Sequence, residues 1–168
     1  MKDMKSKSSD TVLIFGYGSL MSHRSLRADA PDATNIRPAY IKGFRREFSK
    51  LDPEGLSGNS PEELAGIPYC AVDIITDKAG GLVNGVVFEA NAADLAALKR
   101  RENGYALVST PAYDFMTGQP LGNCFVFSSN ACDGSYELGN PAQKRYVDIC
   151  LEGAREYGDA FYRQFLMT

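Results

Sequence analysis

Hydrophobic residues in the first two-thirds of the chain form short runs of the kind that strands make. Residues 11–15 (TVLIF) are continuously apolar and stop at Gly16, as expected of a strand buried on both faces. Residues 39–49 mix apolar and polar positions and are compatible with a further strand. The chain is therefore predicted to begin with a buried strand and to continue mainly as a sheet.

Four later segments are also predicted to be strands. Residues 68–76 and 82–90 are rich in β-branched side chains and flank the turn-like residues 77–81, a pattern that predicts a hairpin. Residues 105–114 and 123–129 are further candidates, and the segment MTGQPLG between them has the composition of a turn.

Helical patterns are fewer and come later. Residues 92–101 (AADLAALKRR) are strong helix formers, and Asn91 precedes them as a suitable N-cap. A C-terminal helix is predicted after Asn140 and Pro141, because a capping residue followed by proline is typical of a helix start. Its core-facing positions are Tyr146, Ile149, Cys150, Gly153, Ala154 and Tyr157. Several strands followed by few helices favour an α+β fold over alternating α/β.

The chain length indicates one domain. Its 168 residues are enough to bury a substantial core. Residues 1–10 are polar and are interpreted as a flexible tail, which leaves residues 11–168 as a single domain. Within it, residues 52–63 (DPEGLSGNSPEE) are interpreted as a long surface loop.

Composition and charge exclude several classes of function. A net charge of −3 without a basic stripe argues against nucleic-acid binding, and no run approaches the roughly 18 apolar residues of a membrane span. The tail lacks the apolar segment of a secretory signal, which predicts a cytoplasmic protein with reduced cysteines. With a single histidine and no cluster of ligand residues, no metal site is expected. The four cysteines are Cys70, Cys124, Cys132 and Cys150.

The most unusual segment is FGYGSLM at 15–21, where two glycines bracket Tyr17 directly after the first strand. Free N–H groups in such a turn form a concavity suited to a carboxylate or a developing oxyanion. A tight turn without chemical function is the alternative. Met21 stands where a dinucleotide loop G-x-G-x-x-G or a nucleophile elbow G-x-S-x-G requires glycine, so both motifs are excluded.

Glu102 is the leading candidate for acid–base chemistry. It falls where the predicted helix 92–101 ends and the next strand begins, so a rigid support would hold its carboxylate. A general acid/base needs a carboxylate whose pKa is raised by apolar surroundings. A solvated glutamate paired with a neighbouring arginine is the alternative.

Together the two segments resemble the γ-glutamylcyclotransferase-like family, including its AIG2-like branch. The family's Y-G-S-L loop corresponds to residues 17–20, and its R-E-x-x-Y motif corresponds to residues 101–105. The likeness extends from about residue 11 to the end and includes GFRREFS at 43–49 and the tail NPAQKRYVDICLEGAREYG at 140–158. It implies a small mixed β-barrel with flanking helices, in agreement with the α+β prediction.

The resemblance also implies a reaction and a set of site residues. Members release 5-oxoproline from γ-glutamyl amines or peptides, so the expected partner is a small γ-glutamyl substrate. By the same analogy Glu102 is the catalytic acid/base, the loop holds the γ-glutamyl group through backbone amides, and Tyr105 shapes the pocket. The loop residues concerned are Tyr17, Gly18, Ser19 and Leu20. The leaving amine and the oligomeric state are left open, and a non-catalytic module that binds γ-glutamyl or amino-acid-like ligands is the alternative.

Overall fold

The structure, a computed structural model, describes residues 10–53, 64 and 66–168. Most of the predicted tail (1–9) and of the predicted loop (54–63) therefore lies outside the described residues. The strands are β1 Val12–Gly16, β2 Thr34–Lys42, β3 Phe44–Asp52, β4 Tyr69–Thr76, β5 Leu82–Ala90, β6 Ala106–Asp114 and β7 Pro120–Ser128. The helices are α1 His23–Asp29, α2 Ala92–Arg101, α3 Pro141–Arg155 and α4 Asp159–Leu166, with a 3₁₀ turn at Ser19–Met21. None of the described helices is long and apolar enough to cross a membrane.

Five strands close into a barrel in the order β1-β5-β2-β6-β7, and β3 and β4 form a separate two-stranded sheet. Neighbouring barrel strands are antiparallel except β1 and β7, which run parallel and bring Ile14 opposite Phe125. The predicted α+β fold with a mixed barrel and flanking helices is thus confirmed.

The predicted hairpin of residues 68–76 and 82–90 is wrong. β4 pairs with β3, whereas β5 pairs with β1 and β2. β4 is antiparallel to β3, and β5 is antiparallel to β2, the strand directly before β3. β4 and β5 therefore run in the same direction, and residues 77–81 connect them without reversing the chain. Two hydrogen bonds of Gly43 hold this connection in place: its N–H donates to the Gly81 carbonyl at 2.7 Å, and its carbonyl accepts from the Asp77 N–H at 2.8 Å. Turn-forming residues occur both where a chain reverses its direction and where a loop interrupts a continuing path, so composition alone could not separate the two.

The single strand predicted at 39–49 is also wrong, since this region contains parts of β2 and β3. Gly43, with a φ of 84°, separates them in a conformation that favours glycine. β2 belongs to the barrel and β3 to the smaller sheet. A glycine inside a strand pattern thus marks the point where the chain passes from one sheet to the other.

Helix α2 has the predicted bounds and α3 the predicted start. Asn91 caps α2 and Asn140 caps α3 through their side chains, as expected. The C-terminal segment forms two helices rather than one, with Gly158 at a φ of 93° between them. Helix α1 was not expected, because Leu26 is its only buried residue and a single apolar position gives no periodic signal.

Candidate active site

A cleft of about 900 Å³ lies between the turn after β1, the C-terminal end of α2 and the sheet of β3 and β4. Its size suits a small-molecule ligand. All six residues predicted for the site line it: Tyr17, Gly18, Ser19, Leu20, Glu102 and Tyr105. The fold therefore brings together the two segments that carried the family resemblance.

Both glycines of the loop are needed for close packing. A Cβ on Gly18 would lie 2.3 Å from Cγ1 of Val72, and one on Gly16 would lie 2.8 Å from Cβ of Leu20. The φ of Gly18 is −125°, so a left-handed conformation is not the reason for this glycine. The loop is pressed against β4, and a side chain at position 18 would push it away.

The loop also presents unused backbone donors. The N–H groups of Met21 and Ser22 donate to the carbonyls of Gly18 and Ser19, at 3.0 and 3.1 Å. Among the described residues, no acceptor is engaged by the N–H groups of Gly18, Ser19 and Leu20. Adjacent free amides of this kind can bind an anion or stabilise a developing oxyanion.

The side chain of Tyr17 anchors the loop to the barrel. Its hydroxyl donates to the carbonyl of Phe127, with the buried carboxylate of Asp73 at 3.5 Å, and burial raises the pKa of Tyr17. The Tyr17 carbonyl accepts from Nε of Arg46 at 3.1 Å, and Arg46 is itself buried. Both contacts fix the loop to buried parts of the fold. Arg46 therefore stabilises the packing and does not form part of the cleft surface.

Glu102 caps the end of α2. Its N–H donates to the Leu98 carbonyl at 2.8 Å, and its carbonyl accepts from the Tyr105 N–H at 3.0 Å, so the backbone is fixed on both sides. The side chain is only 20% exposed. Burial raises the pKa of Glu102, Arg101 partly opposes this, and the negative charges of Asp29 and Asp73 add to it. A carboxylate with a raised pKa can both accept and return a proton near neutral pH.

Arg101 connects three parts of the cleft, and sequence reasoning assigned it no role of its own. Its Nε pairs with Oδ2 of Asp29 at 3.1 Å, and its Nη2 donates to Oγ of Ser19 at 2.7 Å. Its Nη1 lies 3.7 Å from Oε1 of Glu102. Asp29 was missed because it ends the unpredicted helix α1. Arg101 stood beside the candidate glutamate, which was the only signal available.

Two tyrosines beside Val72 form part of the cleft wall. The Tyr105 hydroxyl donates to the Val72 carbonyl at 3.1 Å, and the Val72 N–H donates to the Tyr146 hydroxyl at 3.1 Å. Both side chains line the cleft. Tyr146 was predicted only as a core position of its helix, because periodicity indicates burial and cannot show that a buried face borders a cavity.

Comparison with known structures places this fold among the γ-glutamyl cyclotransferases. A structure titled gamma-glutamyl cyclotransferase superposes with a TM-score of 0.66 at 20% identity, covering 92% of this chain and 85% of that one. An uncharacterized protein from Homo sapiens gives a TM-score of 0.66 at 20% identity, with 93% and 86% covered. A yeast γ-glutamyl cyclotransferase, described as specific to glutathione, gives 0.58 at 15% identity, with 94% and 97% covered.

The sequence itself identifies the family. Residues 12–151 match the ChaC-like proteins, a span that includes both the loop after β1 and Glu102. The chain belongs to the ChaC-like family, and the resemblance to γ-glutamylcyclotransferases is thereby confirmed. Among curated proteins, none matches the chain significantly.

Proposed function

We propose that the protein is a cyclotransferase that releases 5-oxoproline from γ-glutamyl amines or peptides, with Glu102 as the general acid/base. The observation that carries this proposal is the placement of a largely buried carboxylate of raised pKa in the same cleft as three unengaged backbone amides. Membership of the ChaC-like family and the fold shared with γ-glutamyl cyclotransferases support it.

The reaction is intramolecular and needs one proton carrier. The substrate's α-ammonium group, with an ordinary pKa of about 7.7–8.0, first gives a proton to Glu102. The free amine then attacks the γ-carbonyl, a C–N bond closes the five-membered lactam, and the bond to the leaving amine breaks. Glu102 returns this proton to the leaving nitrogen. The second proton that the attacking nitrogen loses on becoming the lactam N–H passes through the same carboxylate to the departing amine, which leaves as an ammonium. The N–H groups of Gly18, Ser19 and Leu20 would bind the substrate carboxylate or the oxyanion, and Tyr105 would shape the pocket.

A substrate panel tests this reaction. Purified protein is incubated with γ-glutamyl amines, γ-glutamyl dipeptides and glutathione, and 5-oxoproline is quantified by mass spectrometry. Release of 5-oxoproline supports the proposal. No release from folded protein, together with tight binding of free glutamate or 5-oxoproline, would favour the non-catalytic binding module instead.

The cellular setting proposed for this reaction is the cytoplasm. All four cysteines are free, and three of them are buried, which fits a reducing compartment. A small soluble γ-glutamyl metabolite is the proposed partner, and the proposed chemistry calls for no cofactor.

The acid limb of the pH profile is expected to move in opposite directions in two variants. Arg101 lowers the pKa of Glu102 and Asp29 raises it, so Arg101→Gln shifts the acid limb of kcat/KM to higher pH and Asp29→Asn shifts it to lower pH. The reason is that Glu102 must be ionised to accept the first proton. Steady-state rates across pH 4–9 measure the shifts. A shift of the acid limb in the same direction in both variants would contradict the assignment.

Ser19→Ala is expected to reduce kcat/KM by less than about tenfold. The serine hydroxyl accepts one hydrogen bond from Arg101, while the loop's proposed contribution is made by its backbone. Initial rates of 5-oxoproline release measure the effect. Complete inactivation of folded Ser19→Ala would point to a nucleophilic serine.

A further inference from the structure

Lys50 enters the cleft from an irregularity in strand β3. The pairing register between β3 and β4 shifts between Phe48 and Lys50, so that Ser49 is an extra residue. Such a bulge redirects the side chains next to it. The segment 133–134 fixes this part of the strand, since the Gly134 N–H donates to the Ser49 carbonyl at 3.1 Å.

The ammonium group of Lys50 lies beside the turn that follows Glu102. A Cβ built on Gly104 would be 3.4 Å from Nζ of Lys50, and the Tyr105 ring centroid is 6.0 Å from the same atom. The side chain is only 19% exposed, so its charge is partly shielded from water. A positive charge therefore stands on the wall of the cleft, next to the turn that follows Glu102.

Lys50 is weakly paired. An ammonium group carries three donors. Within the described part of the chain its ion-pair partner is Asp133, whose Oδ2 lies 3.8 Å away, beyond hydrogen-bond distance. Asp133 also accepts a hydrogen bond from the Leu51 N–H at 2.8 Å. Donors of Lys50 remain available to a ligand in the cleft.

The other cations lining the described cleft are less suited to this role. Arg101 is engaged by Asp29, Ser19 and Glu102. Arg100 is exposed, so solvent and salt screen its charge. Lys50 thus combines partial burial with free donors.

We propose that Lys50 selects the leaving group by binding a carboxylate at the end of the leaving amine that is remote from the scissile bond. The inference rests on the proposed function. It assigns to this residue a preference for γ-glutamyl compounds whose leaving amine is an amino acid or peptide over those whose leaving amine is uncharged.

Matched acid and amide substrates test Lys50. The pairs are γ-glutamylglycine with γ-glutamylglycinamide, and glutathione with its C-terminal amide. Wild type is expected to prefer the acid of at least one pair by about tenfold or more in kcat/KM, through KM and not kcat, because the ion pair forms before the reaction and persists through it. Lys50→Met should lose this preference because kcat/KM falls for the acid and not for the amide. Lys50→Glu should instead prefer γ-glutamyl-ethylenediamine, whose terminal group is an ammonium.

Two variants provide matched controls. Arg45→Met removes a positive charge from the same strand at an exposed position and should keep the wild-type preference. Arg100→Met, at the cleft mouth, should change the preference less than about twofold. Loss of the preference in Arg100→Met with retention in Lys50→Met would overturn the assignment, as would equal kcat/KM for acid and amide in both pairs with wild type.

Calorimetry separates this inference from the proposed function. If no compound yields 5-oxoproline, the proposed function fails, and binding of the same acid and amide pairs to wild type and Lys50→Met then decides the role of Lys50. Tighter binding of an acid that depends on Lys50 supports the inference, whereas equal binding overturns it.

Discussion

Glu102→Gln is expected to reduce kcat/KM for 5-oxoproline release by about 10²–10⁴-fold, the usual contribution of a positioned acid/base. Glutamine keeps the shape of the side chain and its hydrogen-bonding capacity but cannot carry the proton from the α-ammonium to the leaving amine. The measurement is 5-oxoproline production at saturating and limiting substrate. Substantial turnover by folded Glu102→Gln would exclude Glu102 as the proton carrier.

Thermal stability supplies a second readout for the same variant. The pKa of Glu102 is raised in the folded protein, so ionisation of Glu102 disfavours folding once the pH exceeds the unfolded pKa. Glu102→Gln removes this ionisation, and its Tm at pH 7 should equal or exceed that of wild type. Glu47→Gln changes a half-buried glutamate on β3 and is the control, which should change neither activity nor Tm appreciably.

Gly18→Ala is expected to lower kcat/KM by about a hundredfold, because a displacement of about 1 Å in a positioned group can have that effect. The added Cβ would lie 2.3 Å from Cγ1 of Val72 and 3.1 Å from the Tyr146 hydroxyl. The loop must move away from β4, and its three free amides move with it. Overpacking of this kind also destabilises by about 1–3 kcal/mol, which denaturant unfolding can measure.

Val72→Ala offers a rescue for this variant. Removing the methyl groups of Val72 opens the space that the new Cβ needs, so the double variant should be more active than Gly18→Ala alone. A double-mutant cycle measures this coupling. Additive losses, or wild-type activity in Gly18→Ala, would show that close packing of the loop on β4 does not position the donors.

The fold was predictable where the local pattern and the family resemblance agreed. The strand after the tail, the helix capped by Asn91 and the mixed barrel are all present. The errors in the sheet fall on Gly43 and on residues 77–81, where the chain changes sheets. Composition shows that a chain turns there, but which strand it pairs with next is decided by contacts distant in sequence.

The candidate site was predictable as two motifs but not as an arrangement of charges. Tyr17 and Glu102 could be named from the sequence because glycine-bracketed and helix-end positions stand out. Asp29 and Lys50 could not, since ordinary surface residues acquire their surroundings only when α1 and the bulge in β3 fold against the cleft. Arg101 belongs with them, because its three partners lie on different segments.

The parallel pairing of β1 with β7 has a consequence for folding. The contact between Tyr17 and the Phe127 carbonyl joins residues 110 positions apart in the chain. Contacts of such separation form late, because the entropy of closing the intervening segment must be lost first. During synthesis the barrel cannot close on the first strand until most of the chain has been made. We therefore expect the loop that presents the free amides to be among the last parts of the protein to be ordered, although it is among the first to be made.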